Sequence, residues 1–287
     1  MSVRITTLSD NTTNRAGLLA EHGLCLLIES RGCQVLFDTG QTTTAVHNAR
    51  ALGVDLTKVS AIALSHGHFD HTGGLRDVLR EVGRGEREVE VVAHAGVFDP
   101  HYSVRKREEG QEDERPRYVG IPFSRQALEG EGAVLRLIEG PADISDCARL
   151  TGEVPRLTPY EHGDSNLKLR ESDGWSQDQV FDDQALVVRT EEGIVVVLGC
   201  AHVGMINTLE YARRIMGEER ILAVVGGTHL GPASAEQLDE TIKALRGFGI
   251  GRLGVSHCTG QKAAARLAQE FGDAFFFNVA GTVTELP

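Results

Sequence analysis

Short apolar runs alternate with amphipathic stretches along most of the chain. Several runs are apolar throughout, such as Ile194–Leu198, which is typical of strands covered on both faces of a sheet. The pattern predicts strands at Val3–Leu8, Leu24–Glu29, Gln34–Phe37, Val59–Leu64, Val89–Ala93, Ala133–Ile138, Ala185–Thr190, Ile194–Leu198, Ile221–Val225, Arg252–Val255 and Ala274–Asn278.

Apolar residues recur at helical spacing in four other stretches. Two of these predicted helices, Ala45–Leu52 and Leu75–Val82, are each followed by a glycine that favours helix termination. A third begins after Ser234, which forms a capping-box pattern with Gln237. The last is Ala264–Phe271. Strands that alternate with helices predict layered α/β packing.

The region from about residue 99 to residue 183 departs from this pattern. It is polar, carries mixed charge and has few periodic segments. Loops of this length inside compact domains are usually functional or disordered. We interpret the region as an insertion that shapes the mouth of an active site within one domain spanning residues 1–287; the alternative is a disordered surface segment.

Composition narrows the classes of partner. The 287 residues include 29 Lys and Arg against 41 Asp and Glu, a net charge of −12, which argues against nucleic acids and anionic membranes. No apolar run approaches the ~20 residues of a membrane span, and the first residues do not resemble a signal peptide. Five scattered cysteines favour reduced thiols. We therefore expect a cytoplasmic protein with a small-molecule substrate; its oligomeric state is left open.

Histidines follow the predicted strands. Four apolar runs each end in small residues and then a histidine: His66, His202, His229 and His257. A fifth and weaker case is His94. Ligands of α/β sheets bind beyond the carboxyl ends of the strands, so these imidazoles are expected to meet at one edge.

The segment Ser65–Gly74 concentrates four metal-binding side chains. In an extended chain, residues two apart project to the same side, so His66, His68 and Asp70 can face one point while His71 turns to the other. Imidazole and carboxylate together suit zinc, iron or manganese. The pattern predicts two metal ions, with a solvated histidine-rich turn as the alternative.

This His-x-His-x-Asp-His motif after an apolar strand resembles the signature of the metallo-β-lactamase superfamily. The segment Val35–Gly40 is similar to the first motif of that superfamily, whose aspartate, here Asp38, supports the metal-binding histidines. Further segments resemble a subfamily named for the 7,8-dihydropterin-6-ylmethyl-4-(β-D-ribofuranosyl)aminobenzene-5'-phosphate synthase of methanopterin biosynthesis: Ala20–Leu24, Gly199–His202, Gly226–Leu230 and His257–Gly260.

The resemblance implies a four-layer αββα sandwich with two divalent ions at one edge. Zinc is the expected metal, and iron and manganese are alternatives. The implied ligands of one ion are His66, His68 and His202. Those of the other are Asp70, His71 and His257.

The chain departs from the superfamily at the bridging carboxylate, where Gly199-Cys200 follows the strand. Cys200 is either a thiolate ligand that bridges the ions or a small buried hydrophobe. Asp182 and Asp183 are the other candidates for the missing carboxylate.

Several other residues are candidates for substrate contacts. His229 is expected to contact the substrate or its leaving group, with metal ligation and a structural role as alternatives; His22 and His94 are expected to line the site. A structural role is expected for His47, His101, His162 and Cys258. Basic residues of the middle region could hold a substrate phosphate or form a solvated charged face: Arg105, Lys106, Arg107, Arg115 and Arg117.

The first functional hypothesis is a hydrolase in which a metal-bound hydroxide attacks a phosphorylated or ester substrate. Asp70 would orient this nucleophile and His229 would protonate or stabilise the leaving group. The second is a transferase that joins an arylamine to a pterin-methyl diphosphate and releases diphosphate, as the subfamily name implies. The third is a non-enzymatic metal-binding or redox protein.

Overall fold

A computed structural model describes residues 2–84, 87–104, 116–144, 146 and 148–287. Within them the chain forms strands β1 (Val3–Ser9), β2 (Cys25–Ser30), β3 (Cys33–Phe37), β4 (Ala61–Ala63), β5 (Val89–His94), β6 (His101–Ser103), β7 (Arg117–Tyr118), β8 (Ala133–Ile138), β9 (Ala142–Ile144), β10 (Ala148–Leu150), β11 (Leu167–Glu171), β12 (Gly174–Gln177), β13 (Leu186–Arg189), β14 (Ile194–Leu198), β15 (Ile221–Gly227), β16 (Arg252–Ser256), β17 (Phe275–Phe277) and β18 (Val283–Leu286). The helices are α1 (Thr44–Leu52), α2 (Phe69–Thr72), α3 (Leu75–Val82), α4 (Arg125–Glu129), α5 (Met205–Met216), α6 (Ala235–Phe248) and α7 (Gln261–Phe271).

The strands form two seven-stranded sheets and one smaller sheet. The first large sheet has the order β18-β1-β2-β3-β4-β5-β8 and the second β17-β16-β15-β14-β13-β10-β9. Strands β3, β4, β5 and β8 run parallel, as do β14 to β17. The small sheet has the order β12-β11-β6-β7.

Apolar side chains fill three layers of core. One layer lies between the two large sheets and includes Phe37 and Val197. A second packs α1 and α3 on the first sheet, and a third packs α5, α6 and α7 on the second. This is the four-layer αββα sandwich expected from the sequence.

Capping residues that were recognised in the sequence lie at the observed ends of helices α1 and α6. Gly53 adopts a left-handed φ of 72° after α1, and its N–H reaches the carbonyls of Ala49 and Arg50. The Ser234 hydroxyl accepts a hydrogen bond from the Gln237 N–H at 3.1 Å at the start of α6. All predicted strands and helices are present, with small shifts at their ends. Helices α2, α4 and α5 were not predicted.

The middle region is more ordered than the sequence predicts. Strand β8 belongs to the first large sheet, and β9 and β10 belong to the second. The parts that form a separate layer are the small sheet and its loops, which cover the carboxyl ends of the large sheets through residues such as Ser103, Arg117 and Leu167. Residues 99–183 therefore contribute to the two large sheets as well as to this small sheet.

The cysteines differ from the expectation of five reduced thiols. Cys33 is disulfide-bonded, so the expectation is wrong for this residue. Cys25, Cys200 and Cys258 are free, and Cys147 lies outside the described residues. Among the described residues no helix has the length and apolar character needed to cross a membrane.

Candidate metal centre

The carboxyl ends of parallel strands from both large sheets meet at one edge of the sandwich. The residues that follow β3, β14, β15 and β16 turn there in a left-handed conformation, which residues other than glycine rarely adopt. They are Asp38 (φ 61°), Ala201 (φ 56°), His229 (φ 48°) and His257 (φ 50°). Strained backbone of this kind clusters at functional sites, and two of these residues, His229 and His257, border one cavity.

Three histidines form the first cluster. Ligand nitrogens of His66, His68 and His202 all lie within 4.8 Å of one another, and all three residues are buried. His68 Nε2 and both ring nitrogens of His202 find no hydrogen-bond partner among the described residues. Buried polar atoms of this kind are costly unless something binds them, so the cluster fits a metal ion.

A second cluster surrounds the Asp70 carboxylate. Its Oδ2 atom lies 3.0 Å from His22 Nε2 and 3.2 Å from His257 Nε2. His71 is beside it, with its ring centroid 5.0 Å from that of His257. His71 Nε2 points to Cys200 Sγ at 3.1 Å. Imidazole, carboxylate and thiol are ligands that zinc accepts together.

Neighbouring side chains fix the orientation of the candidate ligands. The buried Asp38 carboxylate accepts bonds from the Ser65 N–H and hydroxyl, both at 2.7 Å, and contacts His71 Nδ1 at 2.7 Å. Ser65 Oγ lies 2.9 Å from His66 Nδ1, and Asn11 Oδ1 lies 2.8 Å from His257 Nδ1. In each case one ring nitrogen is held and the other faces the cluster, as in metal-binding histidines.

The electrostatics favour ligand-competent protonation states in the three-histidine cluster and at Asp70. Burial, reinforced by the neighbouring histidines, lowers the pKa of His66 and of His202 well below the usual value, so both rings are neutral. Burial also lowers the pKa of His68 to about 3. Burial opposes ionisation of Asp70, but hydrogen bonds from His22 and His257 outweigh it and hold the pKa of that carboxyl well below its usual range.

A cavity of about 970 Å³ opens over both clusters. His229 lines it with its ring centroid 4.2 Å from that of His202, and its Nε2 lies 3.7 Å from the Asp164 carboxylate. His22 lines it as well. His94, predicted to line the site, is not among the residues that border this cavity; its Nδ1 accepts a bond from the Gly96 N–H at 3.1 Å.

Asp182 and Asp183, the alternatives for a bridging carboxylate, have other contacts. Asp182 Oδ2 accepts a bond from the Gly67 N–H at 2.6 Å, and Asp183 Oδ2 accepts one from the Val203 N–H at 3.0 Å. Each carboxylate therefore holds a loop that carries a histidine of the first cluster.

A buried network behind His68 was not predicted from the sequence. His101 was expected to have only a structural role, but its Nδ1 lies 2.6 Å from Asp178 and its ring packs edge-on against His68 at 5.2 Å. Its Nε2 is 3.8 Å from Asp182 Oδ2. Asn11 and Asp164 were missed too. These contacts join distant segments, and the only local signal was a histidine in a polar region.

Comparison with known proteins agrees with this geometry. The sequence model of the metallo-beta-lactamase superfamily matches residues 19–257. The chain belongs to this superfamily. A relative from Methanocaldococcus jannaschii, named 7,8-dihydropterin-6-methyl-4-(beta-D-ribofuranosyl)-aminobenzene-5'-phosphate synthase, is 29% identical over 292 residues, which cover 96% of this chain and 93% of the relative.

Two other proteins match most of the chain. An uncharacterized protein of Methanocaldococcus jannaschii is 30% identical over 263 residues, covering 91% of this chain and 93% of its own. A solved structure, Tm1679, described as a metal-dependent hydrolase of the beta-lactamase superfamily, aligns with a TM-score of 0.82 and 29% identity over 99% of both chains.

Proposed function

We propose that the protein is a hydrolase that uses two divalent metal ions to cleave a small phosphorylated or ester substrate. The observation that carries the proposal is the position of Asp70, held between two imidazoles beside a three-histidine cluster at the floor of a large cavity. The similarity to a solved structure that is described as a metal-dependent hydrolase supports the same proposal.

The donor atoms divide into two ligand sets. One ion would be held by His66, His68 and His202. The other would be held by Asp70 with His71 and His257, and zinc is the metal that these donors suit best. Such ions polarise a phosphoryl or carbonyl oxygen and lower the pKa of water.

The chain's own residues orient the attacking water and protonate the leaving group. Asp70 would orient this water, whose oxygen forms the new bond to phosphorus or carbonyl carbon as its proton passes to solvent. The bond to the leaving oxygen breaks, and His229, with Asp164 behind its Nε2, delivers a proton to that oxygen.

Arg117 gives the cavity a positively charged wall. Its guanidinium stacks 5.1 Å from the centre of the Phe69 ring, and both residues border the cavity. No ion pair of Arg117 is found within the described part of the chain. A guanidinium binds phosphate well, so its place at the cavity wall supports a phosphorylated substrate. Arg105, Lys106, Arg107 and Arg115, the other basic residues considered, lie outside the described residues.

The second candidate is the synthase reaction. It is favoured by the 29% identity with the named synthase over 96% of this chain and by a cavity large enough for two reactants. An arylamine nitrogen would form a bond to the pterin methylene carbon, the carbon–oxygen bond to diphosphate would break, and the amine would release a proton. A metal-binding redox protein remains a third hypothesis.

A substrate comparison separates these functions. The metal-loaded protein is incubated with phosphomonoesters, phosphodiesters and carboxylate esters, and separately with an arylamine and a pterin-methyl diphosphate. Release of phosphate or alcohol is the expected result. Diphosphate release with a joined amine product would replace the hydrolase proposal with the synthase, and turnover of neither set would contradict both.

A further inference from the structure

Cys258 faces the metal centre because of the backbone at His257. Adjacent residues of an extended strand point to opposite sides, which is why a structural role was expected for Cys258. However, β16 ends at Ser256, and His257 takes a left-handed φ of 50°. The chain turns there, and the side chains of His257 and Cys258 both border the cavity.

The sulfur of Cys258 lies beside that of Cys200. Ligand atoms of Cys200, His257 and Cys258 are all within 4.8 Å of one another. Cys200 is buried, and its Sγ is 3.1 Å from His71 Nε2. Two sulfur atoms from two neighbouring loops thus reach the same space as the imidazoles of the second cluster.

The surroundings of Cys258 suit an anionic sulfur. The backbone N–H of His229 donates to Cys258 Sγ at 3.2 Å. A bond from an N–H to a charged acceptor is stronger than one to a neutral acceptor, and such outer contacts orient metal ligands. The left-handed turn at His229 presents this N–H to the sulfur.

We propose that Cys200 and Cys258 both supply sulfur ligands at the second metal position, next to Asp70, His71 and His257. Each thiol releases its proton when its sulfur binds the ion. The position becomes a mixed imidazole, carboxylate and thiolate site, which selects zinc and other thiophilic divalent ions over magnesium and manganese. The inference rests on the metal centre of the proposed function.

Cobalt substitution tests the sulfur ligands without an activity assay. The full chain is loaded with two equivalents of Co²⁺ in the presence of a phosphine reductant, and near-ultraviolet absorption from thiolate-to-cobalt charge transfer is measured. The wild type is expected to show this band. Cys200→Ser and Cys258→Ser are each expected to lose about half of it, and the double variant all of it, because the band scales with the number of bound thiolates.

Cys25→Ser is the matched control, because Cys25 is a free buried cysteine in the core under α1. It is expected to keep the whole band. A full band in Cys258→Ser overturns the assignment of Cys258. A wild type that binds cobalt without the band overturns the sulfur ligands and leaves the metal centre standing, whereas a wild type that binds no cobalt overturns the proposed function as well. A sulfur band with no turnover of any substrate leaves the inference intact and contradicts only the proposed function.

A second measurement needs no variant. X-ray absorption at the zinc edge of the zinc-loaded wild type is expected to require a sulfur shell at about 2.3 Å in addition to nitrogen and oxygen at about 2.0–2.1 Å. A spectrum that nitrogen and oxygen neighbours fit completely would overturn the proposal.

Discussion

At the scale of single residues, the candidate centre depends on neighbouring side chains that fix the orientation of the candidate ligands. Asp70 is contacted by two imidazoles, and His66 and His71 are each fixed through one ring nitrogen by Ser65 and Asp38. Such contacts set the direction of a ligand atom before any ion binds. The affinity of the candidate centre for metal ions therefore depends on these neighbouring side chains as well as on the ligands themselves.

Asp70→Asn removes one ligand charge and the carboxylate that orients the attacking water. We expect kcat/KM to fall by about 100-fold or more, because a misplacement of the reacting group by about 1 Å already costs about that much. The control is Asp77→Asn, which alters a half-exposed carboxylate on α3. Circular dichroism of both variants checks the fold. Turnover by Asp70→Asn at the wild-type rate would remove Asp70 from the mechanism.

Arg117→Gln keeps a long polar side chain and removes the charge. We expect KM for a phosphorylated substrate to rise by about 10–100-fold with little change in kcat, since a charged hydrogen bond contributes about 1.5–3 kcal/mol. Arg170→Gln is the control, because its guanidinium stacks on Trp175, which does not border the cavity. Equal KM values for the two variants would show that the substrate's anionic group lies elsewhere.

At the scale of elements, the small sheet and its loops are tied to the metal centre as well as covering it. His101 on β6 packs against His68, and Asp182, just after this layer, holds the Gly67 N–H in the loop between two candidate ligands. The first cluster is thus assembled from both large sheets and supported by the third. An element that covers a site can in this way also determine its geometry.

Asp182→Ala tests that coupling. The Gly67 N–H loses its acceptor, so the loop carrying His66 and His68 should lose its fixed orientation. We expect the affinity for the ion at this cluster to fall by about 10–100-fold, measured by competition with a chromophoric chelator. Asp173→Ala, in the turn between β11 and β12, serves as the control. Unchanged affinity in Asp182→Ala would make Asp182 a purely structural residue.

Glu161 caps α5 from a distant loop. Its carboxylate accepts bonds from the Ile206 N–H at 2.7 Å and the Asn207 N–H at 2.8 Å, and Gly204 before the helix offers no side-chain cap. We expect Glu161→Ala to lower the free energy of unfolding by about 1–3 kcal/mol, measured by urea denaturation. Glu210→Ala, exposed on the same helix, should change it by less than about 0.5 kcal/mol. Equal effects would contradict the capping role.

The elements that the sequence predicted are those with a strong local pattern. The apolar strands and the four periodic helices could be predicted because burial of one or both faces requires apolar residues at a regular spacing. Strands β6, β7 and β9 are two or three residues long, too short to show one. Helix α5 was missed because its cap, Glu161, comes from another part of the chain.

At the scale of the whole molecule, two parallel strand sets place their carboxyl ends at one edge. Local spacing was enough to predict that His66 and His68 would lie together, but it grouped Asp70 with them, whereas Asp70 lies with His22 and His257. It was not enough for Cys258, whose direction depends on a left-handed residue, or for Asp164, which the chain brings to His229 from the region thought to be an insertion. The positions of these side chains depend on tertiary packing, which a local sequence pattern does not determine.

The central claim is that this edge binds a pair of divalent ions. The most direct test is a crystal structure of the zinc-reconstituted protein with anomalous data on both sides of the zinc edge. We expect two anomalous peaks, one among His66, His68 and His202 and one beside Asp70, His71 and His257. A structure of the reconstituted protein with no anomalous peak at this edge would contradict it.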